Sequence, residues 1–146
     1  FEIAGCYNRY QAPLSRTVFL GKPPQVFLDG EKAVLEGMEA GLEAARAGNT
    51  CEQFAGAFYA VLRKYGIIKD GRTGYGIGVS YPPDWGERTM SLRPGDRTVL
   101  QPGMTFHFMT GLWSDVMGLE ITESIAITEG APELLASVPR KLFVKD

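Results

Sequence analysis

Cysteine and histidine are scarce in this chain: two of the first, Cys6 and Cys51, and one of the second, His107. Two cysteines build no disulfide framework, and with one histidine they complete no four-ligand zinc site unless carboxylates join them. They read as buried, inert thiols in a reducing, cytoplasmic setting. Positive charge is nowhere concentrated, and the net charge at pH 7 is −2. No field therefore draws nucleic acid or an anionic membrane surface. No apolar stretch approaches the roughly 20 residues a membrane-spanning helix requires. The chain opens without Met and without signal-peptide character, at Phe1-Glu2-Ile3-Ala4-Gly5, already in strand-like sequence. It reads as a single fragment, residues 1–146, that begins inside a larger domain.

What is present is ordinary in amount. The 146 residues, 45% hydrophobic and 22% charged, suffice for one domain with its own core. Phe1 to Tyr7 and Tyr10 to Leu20 read as the strands of a hairpin turning at Asn8-Arg9. Pro23-Pro24 opens a helix that runs to about Arg46 and places Val34, Leu35, Met38, Leu42 and Ala45 on one face. Gly37 and Gly41 weaken that helix unless another element packs closely there. Thr50-Cys51-Glu52-Gln53 has the form of a capping box, opening a second helix with Phe54, Phe58, Val61, Leu62 and Tyr65 on one side and Gly66 at its end. Residues 66–102 show little periodicity, too long a stretch for a plain connection. Strands follow at Met104 to Met109, Leu112 to Met117 and Leu119 to Thr128, then a helical turn near Pro132 to Ala136 and a last strand near Leu142 to Val144. This is an α+β order, with helices on one face of a largely antiparallel sheet.

Alternation sorts the late strands into faces. Thr105, His107 and Met109 point one way, and Met104, Phe106 and Phe108 point the other, toward the core. Glu120, Thr122 and Ser124 share a polar face opposite Ile121, Ile125 and Ile127. Within Gly74 to Glu87, three alternate glycines precede two aromatics, Pro82-Pro83 and two carboxylates. Glycine permits close backbone approach and Pro-Pro fixes an extended path, so the segment predicts a shaped loop beside that polar face.

Four segments in order carry a resemblance. Arg16-Thr17 with Gly21, Gly74-Tyr75-Gly76-Ile77-Gly78, Leu100-Gln101-Pro102-Gly103-Met104-Thr105-Phe106 and Ile121-Thr122-Glu123-Ser124-Ile125-Ala126-Ile127-Thr128-Glu129 resemble the creatinase/aminopeptidase P/prolidase superfamily, the M24 group. The resemblance covers nearly the whole chain but only the C-terminal part of the usual catalytic domain. It implies the pita-bread fold, a curved antiparallel sheet with helices on one face, and a homodimer for the full-length protein.

The departures are informative. Peptidases of this group hold two metal ions with two Asp, one His and two Glu. The matching positions here are Glu2, Pro13, Tyr75, Met109 and Thr122, or Glu123 if the register slips by one. Pro13 and Met109 cannot hold a hard divalent ion, so no metal cofactor is expected. The alternative is a divalent Mn, Co or Zn ion in an Xaa-Pro peptidase. Arg9-Tyr10-Gln11-Ala12-Pro13-Leu14-Ser15-Arg16-Thr17, Tyr81-Pro82-Pro83-Asp84-Trp85-Gly86-Glu87 and Gly118 to Ser124 are most similar to ectoine hydrolases. These open a cyclic amidine ring to acetylated diaminobutyrate.

An amidinium is recognised by a buried carboxylate, and its electrophilic carbon is open to attack by a carboxylate or by a water that the carboxylate holds. The catalytic candidates are Glu2 as that carboxylate, His107 as proton donor or substrate anchor, and Tyr75 as a phenol standing where the family keeps a metal-binding His. Gln11, Tyr81, Trp113 and one of Glu120 and Glu123 are candidates for binding the small-molecule substrate; alternation favours Glu120, while the family register leaves Glu123 open. Trp85 and Trp113 offer aromatic faces to a cation, and Asp84 and Glu87 brace the loop. The remaining readings are a creatinase-like amidinohydrolase and a non-catalytic binding domain.

Overall fold

The computed structural model describes residues 1–81 and 84–146 and the side chains of all of these except Glu87, and these described residues form eleven strands and two helices. Strands β1 (Glu2–Tyr7) and β2 (Tyr10–Ser15) make an antiparallel hairpin in the register Glu2↔Ser15 to Tyr7↔Tyr10. Its turn residues Asn8 and Arg9 both have positive φ, 48° and 69°, as a two-residue turn matched to strand twist requires. The expected second strand breaks at Arg16-Thr17. The guanidinium of Arg16 turns inward there, and β3 (Val18–Leu20) leaves to pair in parallel with β11 (Phe143–Lys145).

Helices α1 (Gln25–Ala44) and α2 (Cys51–Lys64) occupy the expected spans, and the Thr50/Gln53 capping box is formed reciprocally. Val34, Met38, Ala45, Phe54, Phe58 and Leu62 are buried between these helices and the sheet. The sheet has five strands in the order β10-β9-β6-β4-β5, namely Glu133–Leu134, Glu123–Ala126, Thr105–Phe108, Gly74–Ile77 and Gly86–Ser91, with antiparallel neighbours throughout. Strands β7 (Leu112–Ser114) and β8 (Met117–Leu119) form a separate small hairpin.

Three further expectations are corrected. The start of the glycine segment is no loop: Gly74–Ile77 is a fully buried strand, where a Cβ on Gly74 would come within 2.6 Å of the His107 carbonyl oxygen. Residues 132–136 form no helical turn; Glu133 and Leu134 add an edge strand opposite Ala126 and Ile125. The expected strand from Leu119 to Thr128 is β9 alone, with Glu120 to Thr122 outside it. The extended path expected of Pro82 and Pro83 lies outside the described residues. Among the described residues no helix is long and apolar enough to cross a membrane.

Side-chain alternation gives the sheet two unlike faces. Phe106 and Phe108 point toward the helices, their rings 6.5 and 4.7 Å from that of Phe54. His107 and Ser124 point the other way, where β2 crosses: Ser124 donates to the Pro13 carbonyl at 2.6 Å, and the Ser15 amide donates to the Thr122 hydroxyl at 2.8 Å. The polar face is covered by the hairpin, and its end opens at Glu2.

Candidate active site

Antiparallel pairing of β4 with β6 sets Tyr75 opposite His107, and pairing of β6 with β9 sets His107 opposite Ser124. The His107 ring is fully buried and held at both nitrogens: Nδ1 lies 2.9 Å from the Tyr75 hydroxyl and Nε2 lies 2.8 Å from the Thr122 hydroxyl. Trp85 Nε1 donates to the same Tyr75 oxygen at 2.8 Å. Gly86 lets the tyrosine ring lie against β5, since a Cβ there would fall 2.9 Å from it. Glu2 Oε1 stands 4.0 Å from His107 Nδ1. Burial, helped by the positive charge of Arg72, pushes the His107 pKa down to about 4, so the ring is neutral at neutral pH. Burial raises the pKa of Tyr75.

Two adjoining clefts meet at Glu2. One, of about 480 Å³, is lined by Glu2, Arg72, Tyr75, Asp84, Trp85 and Met109 among others. The other, of about 420 Å³, is lined by Glu2, Thr17, Trp113 and Glu120 among others. The Thr17 hydroxyl fixes Glu120 by donating to its carbonyl and accepting from its amide. Burial and the neighbouring Glu2 charge raise the Glu120 pKa, partly offset by the nearby Ser15 hydroxyl and by Lys69. Lys69 itself donates to the Gly111 carbonyl at 2.8 Å. Larger clefts of about 720 and 710 Å³ lie around Ile67 to Asp70; neither contains Glu2, Tyr75 or His107, and the chemistry is concentrated in the smaller pair.

The structure thus brings together Glu2, Tyr75 and His107, with Glu120 and Trp113 across the second cleft. Three other candidates lie elsewhere. Gln11 pairs with Cys6 on the hairpin and donates to its sulfur at 3.3 Å, four residues along β2 from Ser15 and so about 13 Å away along the strand. Tyr81 is exposed, its hydroxyl accepting from Arg9. Glu123 turns to the core side of β9 and is bonded to Arg16 at 2.6 Å, both side chains being buried. Of the two competing glutamates, Glu120 faces the cleft. Asp84 braces the loop, accepting from the Gly86 amide and pairing with Arg88.

Sequence reading missed Arg72 and the bonding role of Thr122. Arg72 is exposed, its guanidinium 4.5 Å from the centre of the Tyr75 ring, and it belongs to no ion pair among the described residues. A lone arginine two residues before a glycine-rich strand carries no signal. Thr122 was visible as a polar-face residue and as a departure from a ligand position, but not as a partner of His107.

The donor set does not suit a two-metal centre. Pro13 offers a carbonyl already taken by Ser124, and Met109 offers a thioether. The oxygens of Tyr75 and Thr122 are each engaged by two partners. Hard divalent ions need free oxygen ligands. Among the described residues, no three side chains of His, Cys, Asp or Glu converge as a metal-holding group.

Comparison with known proteins identifies the family and the fold. The model of metallopeptidase family M24 matches residues 1–129. Ectoine hydrolase of Halomonas elongata is 63% identical over 146 residues, covering 99% of this chain and 37% of that protein. An uncharacterized hydrolase/peptidase of Sinorhizobium fredii is 48% identical over 145 residues, again 37% of its own length. The crystal structure of an X-Pro aminopeptidase from Thermotoga maritima superposes with a TM-score of 0.87 at 25% identity, over 99% of this chain and 40% of that one. The fold is the α+β pita-bread fold of those C-terminal domains. The chain spans little more than a third of the length of the relatives it matches.

Proposed function

The chain belongs to metallopeptidase family M24, and from that premise we propose that it is the C-terminal part of the catalytic domain of a cytoplasmic, metal-independent ectoine hydrolase. The observation that carries this reading is the position of Glu2. Its carboxylate stands at the junction of two clefts, 4.0 Å from a buried neutral imidazole, while the other positions where the family holds metal carry groups that are unsuitable or already bonded. The 63% identity to the Halomonas ectoine hydrolase supports the substrate.

The substrate is a cyclic amidinium bearing a carboxylate. Glu2 attracts the amidinium by charge-assisted hydrogen bonds and delivers oxygen to its central carbon, its own or that of a water it deprotonates. Either route consumes one water: a carbon–oxygen bond forms, one ring carbon–nitrogen bond breaks, and the products are an amide and an ammonium group, acetylated diaminobutyrate. Glu120 and Trp113 form the far wall. Arg72 faces the cleft from the Tyr75 side and supplies a cation for the substrate carboxylate. The full-length protein is proposed to work as a homodimer.

The test uses the full-length protein after exhaustive chelation, incubated with ectoine, with ring opening followed by NMR. Turnover without metal that is lost in Glu2→Gln supports the reading. Absence of turnover, together with metal-restored cleavage of an Xaa-Pro dipeptide, overturns it.

A further inference from the structure

The buried bonds around His107 have a direction that can be worked out. The Thr122 hydroxyl accepts from the Ser15 amide at 2.8 Å, and an amide nitrogen only donates. The Thr122 proton therefore needs an acceptor of its own. The one in reach is His107 Nε2 at 2.8 Å; the buried Ser15 hydroxyl lies on the side of Glu120 and is not bonded to Thr122. A buried hydroxyl proton left unpaired would cost about 1–3 kcal/mol, so Thr122 donates to Nε2.

A neutral imidazole carries one N–H. With Nε2 accepting, that hydrogen sits on Nδ1, and Nδ1 donates to the Tyr75 oxygen at 2.9 Å. The indole of Trp85 donates to the same oxygen at 2.8 Å. Both lone pairs of the Tyr75 hydroxyl are then occupied, and its own proton has no partner among these groups. It turns to the cleft that Tyr75 shares with Glu2 and Arg72.

We propose that Thr122 fixes the tautomer of His107 and, through it, aims the Tyr75 hydroxyl proton into the cleft as the acid that protonates the departing nitrogen. This rests on the hydrolase reading above. As the carbon–nitrogen bond breaks, the Tyr75 proton passes to the nitrogen. The hydroxyl of the collapsing tetrahedral carbon then returns a proton to Tyr75, leaving the amide carbonyl. The proton that Glu2 took from water leaves with the amine as ammonium. Two donors aimed at the Tyr75 oxygen stabilise the phenolate between those transfers. Tyr75 is the catalytic residue in this step; His107 and Thr122 are positioning residues. A histidine drawn from sequence as a proton donor in its own right acts here through the tyrosine.

The test has two parts. Nitrogen-15 NMR of the full-length protein, with the His107 signals assigned by their loss in His107→Asn, reads the tautomer directly without substrate. The proposal expects hydrogen on Nδ1; hydrogen on Nε2 overturns it, whatever the protein hydrolyses. Kinetics with ectoine then compare Thr122→Val with Thr122→Ser. The valine variant is expected to lose at least about tenfold in kcat with KM changed less than about threefold, and the serine variant to recover most of the loss. Wild-type kcat in Thr122→Val overturns the proposal. If the valine variant fails to fold, the tautomer measurement still decides. Absence of any ectoine turnover with the Nδ1 tautomer in place counts against the hydrolase reading, and with it the catalytic step, while the tautomer assignment stands.

Discussion

His107 and Tyr75 face each other across β4 and β6 with Nδ1 and the phenolic oxygen 2.9 Å apart, their rings edge to face at 5.3 Å. The geometry needs the imidazole neutral. Burial, with Arg72 nearby, brings its pKa from 6.5 to about 4. The unfolded chain, with histidine near 6.5, binds more protons between those values. The stability contributed is therefore complete above pH 6.5 and is lost as pH falls toward 4, by about 2 kcal/mol at pH 5. The thermal midpoint of the wild type is expected to fall more steeply than that of His107→Asn between pH 7.5 and 5. Parallel slopes would show that His107 titrates normally.

Arg16 and Glu123 make a second buried polar centre with a different task. The guanidinium donates to Glu123 and to the carbonyls of Ser15, Thr122, Val138 and Pro139. It thereby ties the end of β2 to β9 and to the segment ahead of β11. Glu123→Gln leaves the cation buried without its counter-charge and is expected to cost about 3–5 kcal/mol, read as a lowered thermal midpoint. At a temperature where the variant is folded, its kcat is expected to stay near wild type. A stable variant that has lost kcat would return Glu123 to the active site.

The helices were legible because their signals are local: apolar residues at helical spacing, a capping box and glycine stops. Strands β4 and β5 were not. Gly74-Tyr75-Gly76-Ile77 has little intrinsic strand preference, and it is a strand because β5 and β6 pair with it on both sides. The same non-local pairing puts Tyr75 opposite His107, so the residues could be named individually while their bonded relation could not. Alternation did sort His107 from Phe106 and Phe108, and Glu120 from the core isoleucines. It also set Glu123 on the apolar face, against the family register, but a buried carboxylate there makes sense only once Arg16, more than a hundred residues earlier, is seen to reach it.

Gly37 and Gly41 look like weak points in α1, and the packing gives them a use. A Cβ on Gly37 would fall 2.7 Å from the Phe58 ring, and one on Gly41 would strike the ring of Phe108. Gly→Ala in a helix interior ordinarily gains about 1 kcal/mol, whereas overpacking a filled core costs about 1–3 kcal/mol. Both rings are fully buried among core side chains, so the second effect wins. Gly37→Ala and Gly41→Ala are each expected to lower the thermal midpoint, and the exposed Glu43→Ala to leave it nearly unchanged. A raised midpoint in either glycine variant would mean that the interface between α1 and its neighbours has slack.

Arg72 offers the sharpest separation between binding and chemistry. It lies over the Tyr75 ring at 4.5 Å and lines the cleft with Glu2, so the cleft offers a guanidinium as well as a carboxylate. A substrate bearing an amidinium and a carboxylate can use both groups; the same ring without its carboxylate can use only one. Arg72→Gln is expected to raise KM for ectoine about tenfold or more, the effect of losing a charge-assisted hydrogen bond of about 1.5–3 kcal/mol, with little change in kcat. With the decarboxylated ring, 2-methyl-1,4,5,6-tetrahydropyrimidine, wild type and variant should have similar KM. Arg72→Lys should recover only part of the affinity, because an ammonium cannot bind a carboxylate through two parallel bonds. Equal losses on both substrates would show that Arg72 acts by holding Tyr75 in place, and the carboxylate would then have to be bound from another side of the cleft.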